Sequence, residues 1–116
     1  MNIEDRLKVT DLITQSVYAL DINDMEAFKE CHSENHIFEF LNAGSPSTFI
    51  EGREKYVSMM AKTRKRSIQA GRYYKHHISN VLIKEISEDI LWGRGLGIVT
   101  VQKEQYAKPE YARARA

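Results

Sequence analysis

The chain has 116 residues, of which 42% are hydrophobic and 28% charged, and its formal net charge is +1. That length suits one domain built on one core, and the near-zero charge excludes recruitment of nucleic acid or anionic membrane by a global field. The lone cysteine, Cys31, excludes an intrachain disulfide. No apolar run approaches the roughly 20 residues of a membrane span, and the acidic start Met1-Asn2-Ile3-Glu4-Asp5 lacks the basic-then-apolar order of a leader, so a cytoplasmic protein without membrane partners is expected.

Helix comes first. Ile3, Leu7, Ile13, Val17 and Leu20 recur at helical spacing, with Val9 and Leu12 widening the stripe. Asn2 is placed to cap the start, with Asp5 in the first turn. Asn23-Asp24-Met25-Glu26 has the spacing of a capping box for a second, shorter helix whose buried face is Met25, Phe28 and Cys31. Asp21 and Ile22 form the tight corner between the two.

The period then changes. His36-Ile37-Phe38-Glu39-Phe40-Leu41 reads as a strand. Residues Asn42 to Ser47 form a loop punctuated by Gly44 and Pro46, and Thr48-Phe49-Ile50 a short strand. Glu51-Gly52-Arg53-Glu54 opens a third helix that runs through about Arg66, with Tyr56, Val57 and Met60 on its inner side. Two long strands follow, Tyr73 to Ile86 and Ile90 to Gln105, paired as a hairpin across Ser87-Glu88-Asp89. Gly93, Gly95 and Gly97 alternate along one face of the second, where they permit strong bending or close approach. The tail from Tyr106 to Ala116 can supply one short strand at most. No repeat, low-complexity stretch or linker divides the chain, so residues 1–116 are expected to form a single domain. The order predicts an α+β fold with the N-terminal helices packed on one face of a curved, mostly antiparallel sheet.

Three motifs stand at telling separations: Tyr18, Asp21 and Asp24 at the end of the first helix; Phe49-Ile50-Glu51-Gly52-Arg53-Glu54 ahead of the third; and His76-His77-Ile78-Ser79-Asn80-Val81 in the first long strand. Together, over essentially the whole chain, they resemble the SnoaL-like domain of the nuclear transport factor 2-like superfamily. The resemblance implies a cone-shaped half-barrel with an apolar cavity between sheet and helices. In enzyme members that cavity holds an Asp just after the first helix, matching Asp21. It also holds a His in the first long strand, matched better by His77 than by His76 because Asn80 follows three residues later. The family usually adds two strands after the second long one, and this chain has room for one.

Strand alternation supports the same choice of histidine. His77 shares a face with Ser79, Val81 and Ile83, whereas His76 shares one with Ile78, Asn80, Leu82 and the charged Lys84. The expected catalytic residues are therefore His77 as general base, Asp21 as the carboxylate that fixes its tautomer, and Tyr18, one turn earlier, to polarise a substrate carbonyl unless it faces elsewhere. Phe38, Phe40, Val81 and Met60 are the expected ligand-binding residues.

Plainer roles stand beside these. Asp21 also suits the end of one helix or the cap of the next, and His77 a hydrogen-bonded core position. His32 and His36 are expected at the surface, and no histidine–carboxylate spacing points to a metal. Lys62-Thr63-Arg64-Lys65-Arg66 reads as a solvated helix face rather than a nucleic-acid site.

The reading is a small lyase or isomerase, without cofactor or metal, acting on an apolar cyclic or carbonyl-containing molecule. Its alternatives are a non-catalytic ligand-binding domain and an association module like the β-subunit of ring-hydroxylating dioxygenases. The expected assembly is a homodimer packed through the hairpin.

Overall fold

The computed structural model describes residues 2–41 and 43–103, together with the backbone of residues 111–115. Its elements follow the expected order. Helix α1 spans Ile3–Asp21, α2 Met25–Glu30 and α3 Arg53–Gln69. Strands β1 (Ile37–Phe40) and β2 (Thr48–Glu51) pair as an antiparallel ribbon, with Phe38 opposite Ile50. Strands β3 (Tyr73–Ser87), β4 (Ile90–Gln102) and β5 (Tyr111–Arg115) form an antiparallel sheet in the order β3-β4-β5. The tail thus supplies one strand, β5, which pairs with β4 from Val101 to Gly97. The expected extension of β4 to Gln105 stops short, because the strand ends at Gln102 and Lys103 is a bend; Glu104 and Gln105 fall outside the described residues.

The chain's own chemistry sets the helix ends that matter most. Asn2 accepts the Asp5 amide at 2.8 Å and starts α1. The far end closes as a Schellman motif: the Asn23 N–H donates to the Leu20 carbonyl at 3.2 Å and the Asp24 N–H to that of Ala19 at 2.8 Å. Asn23 stands in the left-handed region at φ 60°, which asparagine tolerates better than most residues. It is therefore the hinge, not the cap. The cap of α2 falls one residue later, on Asp24, whose side chain accepts the Ala27 amide at 3.2 Å.

Helix α3 ends in the same way. Gly71 at φ +70° sends its N–H to Ile68, and Arg72 reaches back to Ser67 at 2.8 Å. A side chain at Gly71 would carry left-handed strain. The two motifs fix Asp21 at the last turn of α1 and start β3 directly after α3.

The core gathers between the helices and the β1–β2 ribbon. Ala19, Leu20, Phe28, Ile50 and Tyr56 are buried, with Met25, Phe38, Phe40, Val57 and Met60 packed against them. Burial of each large side chain contributes about 1.5–3 kcal/mol.

His32 and His36, expected at the surface, are half-buried, with their rings against Phe28 and Tyr56 of this cluster. Their rings lie 4.8 Å apart, and His36 sits 4.9 Å from Tyr56. Burial and the neighbouring His32 pull the His36 pKa below its ordinary value, and its buried Nε2 has no hydrogen-bond partner among the described residues. Cys31 packs as expected, with Sγ 3.3 Å from the Ala27 carbonyl. Burial, then Glu30, pushes its thiol pKa up.

Strand β3 is not regular. Its register to β4 shifts between Ser79 and Leu82, and Asn80 there has φ 54°. This is a β-bulge, and it exchanges the faces on which later side chains lie. Tyr74, His76 and Ile78 face the helices before it, Val81 and Ile83 after it. Gly95 marks the crossing point. A Cβ built there would lie 3.5 Å from Val81 Cγ2 and 3.6 Å from Ile78 Cγ2, residues that strict alternation puts on opposite faces.

Candidate active site

Between α3 and the inner face of the long hairpin lies an open cavity of about 500 Å³. Leu20 closes it from α1 and Met60, Thr63, Arg64 and Ser67 from α3. Tyr74, His76 and Ile78 contribute from β3, and Gly95, Gly97 and Val99 from β4. The lining is chiefly apolar, and its charged and titratable groups converge on one spot.

That spot is Asp21. Its Oδ1 lies 2.5 Å from His76 Nδ1, and its Oδ2 accepts the His76 backbone N–H at 2.8 Å. The same Oδ1 is 3.6 Å from Arg64 Nη2. Arg64 in turn donates to the backbone carbonyls of Asp21, at 3.1 Å, and Tyr74, at 3.0 Å. The Asp21 and Arg64 side chains are only 10% and 8% exposed, so their pairing is shielded from water. Burial draws the Arg64 pKa below its ordinary value, and Asp21 and then Tyr74 oppose that fall.

As a carboxylate beside a guanidinium, Asp21 can only accept, which places the imidazole proton on Nδ1. Nε2 is then a free lone pair, with no hydrogen-bond partner among the described residues. An imidazole so held, on the wall of a chiefly apolar cavity, can take a proton from a bound molecule and pass it on.

The histidine that meets Asp21 is therefore His76, where His77 was expected. His77 points to the other face of the sheet, exposed, with Nε2 3.1 Å from Thr100 Oγ1. The bulge at Asn80 is the physical reason. Val81 and Ile83 do face inward as the alternation required, but the strand reaches them through a register shift, so the inward histidine is the one out of phase with them.

Tyr18 also stands elsewhere. It is 64% exposed and flanks a shallow depression with Leu12, Gln15 and Ile22, on another side of α1. Phe38 and Phe40 belong to the aromatic core, their rings 4.7 Å apart and Phe38 stacked on Tyr56 at 4.6 Å, not to the cavity lining. Met60 lines the cavity, and Val81 stands behind Gly95 at its margin.

Arg64, read from the basic run as solvated, is buried. Its position was signalled by spacing, because Tyr56, Met60 and Arg64 follow one another at four-residue steps on the inner face of α3.

Helices laid over one face of a bent antiparallel sheet, with an open cavity between them, define an α+β half-barrel. The chain belongs to the SnoaL-like domain family, whose model matches residues 1–114. Among solved structures, Aln2 from a Streptomyces species superposes with a TM-score of 0.75 at 16% identity, over 99% of this chain and 74% of its own. The β subunit of the benzoate 1,2-dioxygenase from Burkholderia mallei gives 0.72 at 14% identity, over 98% and 74%. A nuclear transport factor 2-like protein with a cystatin-like fold from Novosphingobium aromaticivorans gives 0.67 at 19%, over 97% and 69%. At these identities the likeness shows the fold alone. No curated protein matches the chain.

Proposed function

We propose that this protein is a cofactor-independent lyase or isomerase acting on an apolar cyclic or carbonyl-containing small molecule, with His76 as its general base. The observation that carries the reading is the contact between Asp21 and His76 in the wall of the cavity. His76 Nε2 removes a proton from carbon next to a carbonyl, and Asp21 stabilises the imidazolium that forms. Return of that proton to a departing β-hydroxyl releases water; its return to another carbon completes an isomerisation.

Cyclic ketones with and without a β-hydroxyl, incubated in D2O, test both outcomes, because NMR reads exchange of the α-proton and loss of water together. His76→Gln should lower the rate by about a hundredfold or more, whereas His77→Gln should leave it unchanged. Full turnover in His76→Gln would end the proposal.

A second reading rests on a different observation. Asp21 also holds Arg64 and the His76 amide, tying the ends of α1 and α3 to β3. A ligand-binding domain without chemistry would use it in that structural sense. Asp21→Asn would then lower the melting temperature while neither form exchanged or dehydrated any ketone.

Association belongs to the proposal too. The B. mallei neighbour is by name one subunit of a larger enzyme. Here the outer face of the β3–β4 hairpin carries Leu82, Trp92 and Ile98, respectively 50%, 40% and 37% exposed. The occupant we propose for it is a second copy of this chain.

A further inference from the structure

Arg64 is more than Asp21's partner. Its Nη2 is fully engaged, by Asp21 and by the Tyr74 carbonyl, but Nε and Nη1 have no hydrogen bond among the described residues. They are not sealed off either. Among the described residues, the buried side-chain nitrogens and oxygens without partners are His36 Nε2 and Arg53 Nε, and Arg64 has none among them. Since Arg64 lines the cavity and is otherwise buried, the side on which its free N–H groups remain accessible is the cavity. The hydroxyls beside it do not compete as donors. Thr63 Oγ1 donates to the Met59 carbonyl and Ser67 Oγ to that of Thr63, both at 3.0 Å.

We propose that the free edge of the Arg64 guanidinium is the oxyanion-binding group of this cavity, and that the ligand is an apolar ring carrying an enolisable carbonyl whose oxygen faces it. The proposal rests on the lyase or isomerase reading and names the group that reading lacks. When His76 Nε2 takes the α-proton, the C–H electron pair moves into a new C=C bond and the carbonyl oxygen becomes an alkoxide-like O⁻. No oxidant or second reactant is needed.

The charges already in place match that change. Asp21 and Arg64 together are neutral, so a neutral ring enters without opposing charge. As the proton moves, the new imidazolium lies against Asp21 and the new oxyanion against Arg64. Both His76 Nδ1 and Arg64 Nη2 touch the same Asp21 oxygen, so these two nitrogens stand no further apart than the two contacts laid end to end, and the base and the anion holder are held by one carboxylate. Fixed donors aimed at developing charge, inside a shielded site, are commonly the largest contribution to such a reaction.

The probe is 2-naphthol, whose anion places O⁻ on a flat apolar ring as an enolate does, and its absorbance separates the two forms. Bound to the parent protein, it should ionise at a pH lower by about one unit or more, a roughly tenfold preference for the anion. Arg64→Met should abolish that preference, while His76→Gln and Tyr74→Phe should keep it. The His76→Gln arm keeps the two proposals apart, because an anion preference without any effect of His76 on ketone turnover would sink the base and leave Arg64 standing. If Arg64→Met fails to fold by circular dichroism, the parent alone decides: naphtholate should shift the Arg64 15Nε resonance. Failure of 2-naphthol to bind at millimolar concentration, an unchanged or raised pKa on binding, or loss of the preference in Tyr74→Phe would overturn the assignment.

Discussion

His76 and His77 are adjacent in sequence and face opposite ways, which makes them each other's control. Exchange of an imidazole for a glutamine amide keeps hydrogen-bonding capacity and removes the base. His76→Gln therefore reports on chemistry, and His77→Gln on whatever the Thr100 contact contributes to the exposed face. That contribution should be within about half a kcal/mol of stability. His36 supplies a separate signal. Its folded-state pKa is lowered, by burial and then by His32, so the unfolded chain takes up a proton more readily than the folded one. Stability on this account is present above the ordinary histidine pKa, about 6.5. It declines as the pH falls below that value and levels off beneath the folded pKa. Urea titrations from pH 7.5 to 5 should show the decline, and His36→Phe should flatten it. An unaltered slope in His36→Phe would assign the acid sensitivity to other groups.

The elements explain which residues sequence could place and which it could not. The start of α1 was legible because Asn2 declares it by its own chemistry, whereas α3 runs three residues past the expected Arg66, to Gln69, before Gly71 turns the chain. Asn23 and Asp24 compete for one cap, and the left-handed turn at Asn23 settles it for Asp24. The inner face of α3 was legible through Tyr56 and Met60, yet the basic company of Arg64 masked that it continues the same stripe. The inward histidine was out of reach of alternation because a single extra residue reverses the phase, and Asn in a strand interior is the only mark of it. That mark is testable. Left-handed backbone costs a β-branched residue about 1–2 kcal/mol, so Asn80→Val should lower the free energy of unfolding by that much in denaturant titrations. Asn80→Gly should be tolerated. Equal stability of the two variants would mean that the bulge does not hold residue 80 in the left-handed region.

The same bulge shapes the molecule as a whole, because it decides what the hairpin shows to its surroundings. Opposed residues of an antiparallel pair share a face. The pairings His77 with Ile98, Ser79 with Leu96, Leu82 with Arg94 and Lys84 with Trp92 therefore describe one continuous outer surface. Leu82, Trp92, Leu96 and Ile98 make its apolar centre, with Lys84 lying 5.4 Å over the Trp92 ring and Arg94 beside them. An apolar centre rimmed by cations and hydroxyls suits an interface between protein surfaces better than exposure to water. A twofold axis would place this face against its own copy, leaving both cavities open on the opposite side of each sheet. Sedimentation equilibrium across micromolar concentrations should give twice the chain mass. Leu82→Glu, which sets a carboxylate in the centre of each facing surface, should give the single mass and leave ketone turnover unchanged, since Leu82 does not line the cavity. A parent that sediments as a monomer throughout would refute the dimer. Loss of turnover in a folded, monomeric Leu82→Glu would instead mean that the second copy shapes the site from behind the sheet.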